Sequence, residues 1–153
     1  MVKTSAGILL YRGKGDSLEV LLVHPGGPFW AKKDEGAWSI PKGELEEGEE
    51  SRGCALRELE EEIGSSLGLA PERLIELGEV RLKSGKRVHG WAAEGDFDPA
   101  SLRSNTFSME WPPRSSKERE FPEVDRAEWF APELARLKIN PAQGPFLDRL
   151  LSR

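Results

Sequence analysis

The chain contains little cysteine and no long apolar segment. Its single cysteine, Cys54, has no second cysteine with which to form an internal disulfide, so we expect a reducing compartment, the cytoplasm. No apolar run approaches the ~18 residues of a membrane-spanning helix. Residues 1–15 also lack the long apolar stretch and small-residue cleavage site of a signal peptide. We therefore expect no membrane partner.

Positive charge is also in short supply. The 22 Lys and Arg residues are outnumbered by 27 Asp and Glu, which gives a net charge of −5. Because nucleic-acid-binding domains normally carry a basic face, we expect no duplex nucleic-acid partner. A small nucleotide substrate stays compatible with this charge, since bound metal ions reverse the local field. The length of 153 residues predicts a single domain over residues 1–153.

Apolar runs and turn residues alternate along the chain in a pattern typical of a mixed α/β fold. Runs bounded by Gly, Pro and charged turns predict strands at residues 6–11, 18–24, 74–82, 87–93, 105–111 and 126–130. A long charged loop is predicted at 114–125, and short helices are predicted to begin at Pro132 and Pro141. With one further helix in the middle of the chain, this order predicts a mixed sheet between helices, an α/β/α sandwich.

That central helix belongs to an unusually acidic segment, residues 43–64. A helix is predicted from about residue 50 to Gly64, a glycine that suits a C-terminal cap. At about 100° per residue, Glu58, Glu61 and Glu62 share one helix face. The opposite face is apolar and carries Leu56, Leu59 and Ile63. Acidic runs are often only solvated, and like charges at this spacing cost ~0.2–0.5 kcal/mol per pair, a cost that a hard cation such as Mg²⁺ would offset.

The spacing within this segment resembles the signature of the Nudix hydrolases. The matching positions are Gly43, Glu49, Arg57-Glu58-Leu59, Glu61-Glu62 and Gly64. One position departs from the family pattern, because Ser65 stands where an aliphatic residue usually follows the last glycine. That position packs rather than binds metal, so the predicted chemistry is unaffected. The resemblance implies the Nudix fold, an α/β/α sandwich, for nearly the whole chain, although only this segment is specific.

The resemblance also implies a Mg²⁺- or Mn²⁺-dependent hydrolase acting on phosphoric anhydride bonds. The metal ligands would be three carboxylates and one backbone carbonyl, from Glu58, Glu61, Glu62 and Gly43. Glu49 and Arg57 would pair with each other and orient the glycine loop against the helix. Glycine at position 43 would leave its carbonyl open to a metal ion, with no side chain in the way.

The glutamate that accepts a proton from the attacking water is left open by the sequence. Family members take this base, or a further metal ligand, from different places, including the segment that corresponds to residues 114–125. The catalytic candidates are Glu58, Glu61, Glu62, Glu120 and Glu123, with Glu118 a weaker one. For any single glutamate of the 114–125 segment, a solvated loop residue is an equally good interpretation.

Segments around the acidic helix predict contacts with a nucleotide. Lys42 would direct a positive charge at a phosphate chain, and the second hairpin offers Lys83, Arg87 and His89 as substrate-binding candidates. Strand residues of this kind usually face solvent, and His89 also suits a polar core. The loop at 25–37 carries two aromatic and two basic residues, Phe29, Trp30, Lys32 and Lys33. They would either stack on a base and bind phosphate, or cover the core. His24 is expected to be structural or exposed.

Three functions are compatible with these features. The leading hypothesis is asymmetric cleavage of a dinucleoside polyphosphate such as diadenosine tetraphosphate, because residues 38–43, WSIPKG, resemble those of family members with such substrates. The alternative is cleavage of a nucleoside triphosphate to monophosphate and pyrophosphate. A non-catalytic nucleotide-binding regulator is less favoured, because regulators of this kind usually lose signature acids and this chain keeps them all.

Overall fold

The computed structural model describes residues 3–153 and contains a mixed β-sheet with helices on both faces. The strands are β1 Thr4–Arg12, β2 Glu19–Pro25, β3 Lys42–Glu44, β4 Ile75–Arg81, β5 Arg87–Glu94, β6 Thr106–Glu110, β7 Glu118–Pro122 and β8 Val124–Phe130. The helices are α1 Ser51–Ile63, α2 Pro132–Lys138 and α3 Gly144–Leu151. None of these helices has the length and hydrophobicity needed to cross a membrane.

Strand β1 lies at the centre of the main sheet. The strand order is β4-β5-β1-β2-β8, and β3 also pairs with β1. β1 runs parallel to β5 and antiparallel to β2 and β3. Residues 5–10 of β1 are all buried, because both faces of this strand are covered, which explains its unbroken apolar sequence.

Two separate apolar layers cover the sheet. On one face, β1 and β2 pack against the apolar side of α1, with Ile8, Leu21, Leu59 and Ile63 in the same buried cluster. On the other face, the buried cluster joins α2 and α3 to the sheet and includes Leu9, Leu22, Trp38, Phe146 and Leu147. The predicted α/β/α sandwich is therefore confirmed.

Helix α1 has the boundaries that its sequence predicts. It begins at Ser51 and is followed by Gly64, whose φ of 91° is a left-handed conformation that glycine adopts without strain. The buried thiol of Cys54 donates a hydrogen bond to the Gly43 carbonyl at 3.4 Å. Burial also raises the pKa of Cys54 to about 11, which is consistent with a packed residue rather than a nucleophile.

The predicted loop at 114–125 is wrong in its central part. Residues 118–122 form β7, which pairs antiparallel with β6 in a separate two-stranded sheet. Strand β8 then begins at Val124, two residues earlier than predicted. The sequence EREFP shows no alternation of apolar and polar residues, since β7 is mostly exposed on both faces. β7 is a strand because it pairs with β6, and neither of its faces is buried.

Candidate functional site

The turn at β3 brings the backbone of Gly43 against helix α1. Gly43 pairs with Ala6 of β1, and its α-carbon packs on the carboxylate of Glu58. A Cβ added at Gly43 would overlap all three atoms of that carboxyl group. Only glycine therefore allows β3 and the acidic face of α1 to approach this closely.

Four carboxylates lie close enough to influence one another, and we call them the acid cluster: Glu58, Glu61, Glu62 and Glu123. Burial raises the pKa of Glu58 to about 7, and the charge of Glu61 adds to the shift. Burial also raises the pKa of Glu62 to about 8, with Glu58 the next cause. The pKa of Glu123 is raised by burial and by Glu61. Shifts in this direction mean that the local cations do not neutralise the cluster.

The cation closest to the cluster is the guanidinium of Arg57. It donates to Glu58 at 3.1 Å and to Glu61 at 2.8 Å, while its Nε donates to Glu49 at 2.8 Å. It also donates to the Glu44 carbonyl at 3.1 Å. Hydrogen bonding from Arg57 is the main reason that the pKa of Glu49 falls to about 2. Arg57 thus ties the glycine loop to α1, the contact expected of an orienting pair.

The acid cluster has the ligand types that a hard divalent cation prefers, but its side chains do not already surround a metal position. Its donors are carboxylate oxygens and the Gly43 carbonyl, the ligand types that Mg²⁺ and Mn²⁺ prefer. Within residues 3–153, however, no three side chains of the types His, Cys, Asp and Glu already form a metal-binding group. Arg57 contacts one oxygen each of Glu58 and Glu61, which leaves the second oxygen of each carboxylate for a metal ion.

A cavity of about 210 Å³ opens beside the acid cluster. Lys42, Glu62 and Glu123 lie at its charged part, and Trp30, Asn140 and Gln143 are among its other lining residues. The backbone N–H of Lys42 donates to Glu62 at 3.3 Å. Burial lowers the pKa of Lys42 more than the neighbouring carboxylates raise it. The structure thus places Lys42, a predicted phosphate-binding residue, between the cavity and the acid cluster.

Asn140 and Gln143 were not identified from the sequence. The Gln143 side chain is buried, accepts from the Ile40 N–H at 3.0 Å and donates to the Ser39 hydroxyl at 3.0 Å. The Asn140 side chain accepts from the Ala142 N–H at 2.9 Å. Both residues belong to a turn that lies about 100 positions later in the chain than Ser39, which also lines the cavity. The only local signal was a polar residue before Pro141, which predicts a cap and not a cavity.

The other predicted catalytic and substrate-binding residues lie away from this cavity's lining. Glu120 is exposed on β7 and accepts from the Thr106 hydroxyl at 3.3 Å. Glu118 is exposed at the start of β7. Lys83 and Arg87 are exposed near the turn between β4 and β5. Of the candidates in the 114–125 segment, the structure brings Glu123 to the acid cluster.

His89 lies at the start of α1 rather than at the cavity. Its Nδ1 is 2.7 Å from the Ser51 hydroxyl, and its Nε2 is 2.6 Å from the Glu76 carboxylate. Trp91 also donates to the Ser51 hydroxyl, at 2.9 Å. This network links the first residue of α1 to β4 and β5.

The aromatic residues of the 25–37 loop do not cover the core. Phe29 is 64% exposed and Trp30 is 39% exposed. Phe29 meets Trp111 edge to face, with ring centroids 6.0 Å apart, and Trp30 lines the cavity. The interpretation that these rings cover the core is therefore wrong. The interpretation that they contact a ligand stays a prediction.

A mixed sheet between helices, with an acidic helix facing a glycine turn, defines the class of this protein. The NUDIX domain family model matches residues 1–150, so the chain belongs to that family, and the predicted family membership is confirmed. A curated relative, the 8-oxo-(d)GTP phosphatase of Mycolicibacterium smegmatis, is 34% identical over 107 residues, 62% of this chain. The chain spans about a third of the length of that relative, 31%.

Solved structures agree on the fold. A binary complex of the Caenorhabditis elegans Ap4A hydrolase is 20% identical with a TM-score of 0.65, covering 97% of this chain and 96% of the other. The NUDIX domain of Shewanella oneidensis NrtR in complex with ADP ribose is 15% identical with a TM-score of 0.66, covering 100% and 88%. At these identities the likeness concerns the fold alone.

Proposed function

We propose that this chain catalyses divalent-metal-dependent hydrolysis of a pyrophosphate bond in a nucleoside diphosphate linked to another group. The observation that carries the proposal is the acid cluster, four carboxyl groups gathered beside Lys42 and a cavity, where burial and mutual repulsion raise the pKa of Glu58 to about 7 and of Glu62 to about 8. Buried carboxylates without enough cations are costly to a fold. A divalent cation would offset that cost and, with a phosphate chain, complete the site.

The residues divide the work between metal binding and substrate orientation. Glu58, Glu61, Glu62 and the Gly43 carbonyl would hold Mg²⁺ or Mn²⁺, which when bound neutralises phosphate charge and lowers the pKa of a coordinated water. Arg57 would orient the glycine loop against the ligand helix through Glu49. Lys42 would bind a phosphate oxygen of the substrate.

Glu123 is our candidate for the proton acceptor. It is the acid-cluster member that does not belong to α1, and it lines the cavity together with Glu62. Burial raises its pKa, which moves the group towards the range suited to general-base catalysis near neutral pH. Glu120 is less well placed, because its carboxylate is engaged with Thr106 on the exposed hairpin.

For the substrate, we propose a dinucleoside polyphosphate such as diadenosine tetraphosphate. The cavity beside Lys42 has a volume of about 210 Å³, and the partly exposed Trp30 ring in its lining offers a surface on which a base could stack. A nucleoside triphosphate is the second candidate, favoured by the 34% identity to an 8-oxo-(d)GTP phosphatase. A purely regulatory role is less favoured, because every acid of the family signature is present.

A substrate panel tests the proposal directly. The protein is incubated with dinucleoside polyphosphates, nucleoside triphosphates and nucleotide sugars, with Mg²⁺ or with EDTA, and the products are separated by chromatography. We expect Mg²⁺-dependent cleavage of diadenosine tetraphosphate to ATP and AMP. Preferred release of pyrophosphate from triphosphates would transfer the proposal to the second candidate. Binding without hydrolysis of any compound would favour the regulator.

A further inference from the structure

The buried histidine at the end of β2 has an unusual pair of partners. His24 is 0% exposed, and Trp38 meets it edge to face at a centroid distance of 5.2 Å. Its Nδ1 lies 2.8 Å from a carboxylate oxygen of Asp125, and its Nε2 lies 2.7 Å from the Lys33 carbonyl. Both partners are acceptors. The two ring nitrogens thus lie at hydrogen-bond distance from two different segments of the chain, β8 and the loop before Trp38.

Charged side chains surround the two partners of His24. Asp125 on β8 contacts the ring and also lies 3.9 Å from the Arg126 guanidinium. Asp34 accepts from the Trp38 indole at 2.9 Å and pairs with Lys138 of α2. The Arg126 guanidinium lies 5.1 Å from the Trp38 ring.

A β-bulge places Asp125 in reach of His24. In the β2–β8 pairing, His24 is opposite Arg126 and Pro25 is opposite Val124, so that Asp125 has no partner. Bulges commonly redirect a side chain in this way. The same short segment carries Glu123, whose carbonyl accepts from the Gly26 N–H at 2.9 Å. His24 thus fixes the part of β8 that leads to the acid cluster.

The other bond of His24 fixes the aromatic loop. In the described part of the chain, the bond to the Lys33 carbonyl is the one hydrogen bond joining residues 28–33 to a different element. Within the loop, Lys33 N–H donates to the Trp30 carbonyl at 3.0 Å. Trp30 lines the same cavity as Glu123. One buried ring therefore connects two cavity-lining residues that belong to different segments.

We propose that His24 is a positioning residue, which fixes Trp30 and Glu123 relative to the cavity through its contacts with the Lys33 carbonyl and the Asp125 carboxylate together. The proposal rests on the proposed function only for the consequence that loop order assists nucleotide binding. The loop order is a property of the free protein and is testable without any substrate.

Amide hydrogen exchange of the wild-type protein tests the loop order. We expect the Trp30 and Lys33 N–H groups, which donate to the Gly27 and Trp30 carbonyls, to be protected from exchange in the free protein. Exchange at the rate of an unstructured peptide would overturn the proposal. This measurement needs no variant, so it decides the question even if substitutions at this buried position prevent folding.

Two substitutions separate the bonds. The amide nitrogen of His24→Asn occupies the place of Nδ1 and keeps the Asp125 bond, whereas that of His24→Gln reaches the place of Nε2 and keeps the Lys33 bond. We expect amide hydrogen exchange of Trp30 and Lys33 to accelerate about tenfold in His24→Asn, the effect of one lost hydrogen bond, and to stay near wild type in His24→Gln. Equal exchange in the two variants would contradict the proposal.

Steady-state kinetics with diadenosine tetraphosphate and Mg²⁺ give the functional readout. We expect His24→Asn to raise KM by about tenfold with a smaller change in kcat, and His24→Gln to restore KM. If KM changes with the free energy of unfolding and not with the hydrogen exchange of Trp30 and Lys33, His24 is an ordinary structural residue and the proposal is contradicted. Should no nucleotide be hydrolysed while the exchange results hold, the proposed function fails and the positioning role of His24 stands.

Discussion

The acid cluster and the cavity beside it are neighbours with opposite physical character. Three of the four cluster carboxylates come from two adjacent turns of α1, and the pKa values of Glu58 and Glu62 are raised by burial first and by neighbouring carboxylates second. The cavity wall is assembled from distant segments, and the polar side chain of Gln143 in it has its hydrogen-bond partners satisfied. In the acid cluster, burial and repulsion between carboxylates destabilise the fold until a cation binds, which suits catalysis. In the cavity wall, the polar side chain already has its hydrogen bonds, which suits recognition of a ligand.

The largest effect that distinguishes the two regions is expected at Glu62. Glu62→Gln removes the charge of a proposed metal ligand, and we expect kcat to fall by about 10²–10⁴-fold, the range for loss of a catalytic group. The matched control is Glu60→Gln on the exposed side of the same helix, which should keep wild-type activity. Equal loss in both variants would indicate a general effect of helix charge.

Gly43 tests whether the cluster depends on close packing. In Gly43→Ala the new Cβ would overlap the Glu58 carboxyl group, so we expect a loss of ~1–3 kcal/mol in unfolding free energy together with loss of activity. Gly53 is the control, because a Cβ there meets nothing within 4 Å. Gly53→Ala should stabilise the helix by up to ~1 kcal/mol. Chemical denaturation of the two variants checks this, and a neutral Gly43→Ala would remove the packing argument.

The pH dependence of folding stability tests whether the pKa values of the acid cluster are raised in the metal-free protein. The folded-state pKa values of Glu58 and Glu62, about 7 and about 8, lie above the ordinary value of 4.5. The native state therefore binds more protons than the unfolded state between about pH 5 and pH 8, and stability falls as pH rises through this window. Melting temperatures in EDTA should decrease over that range, and less steeply in Glu62→Gln. A flat wild-type profile would mean that the cluster is already neutralised.

The smallest effect is expected on the recognition side. Trp30→Ala should raise KM for diadenosine tetraphosphate by about 5–100-fold, the range for one lost base-stacking contact of ~1–3 kcal/mol, while kcat changes little. Phe29→Ala is the comparison, since Phe29 is more exposed and does not line the cavity. If Trp30→Ala lowers kcat as much as Glu62→Gln does, the assignment of catalysis to the acid cluster and of recognition to the cavity is wrong.

The difference between the regions also explains what the sequence could predict. Glu58, Glu61 and Glu62 share a face because helix geometry is local, and the boundaries of α1 follow from its own residues. Asn140 and Gln143 reach the cavity only through the packing of α2 and α3 on the sheet, which no nearby pattern records. The partners of His24 depend on a bulge in β8. Strand β7 was missed because an exposed strand carries no burial pattern.

The central claim is that the acid cluster binds a divalent cation through Glu58, Glu61 and Glu62. Its most direct test is the melting temperature of the free protein with increasing Mg²⁺, compared between wild type and Glu62→Gln. We expect a rise in wild type that follows the logarithm of the Mg²⁺ concentration above the dissociation constant, about 2.7 kcal/mol of stabilisation at one hundred times that constant, and a much smaller rise in the variant. An unchanged melting temperature in wild type at saturating Mg²⁺ would contradict the account.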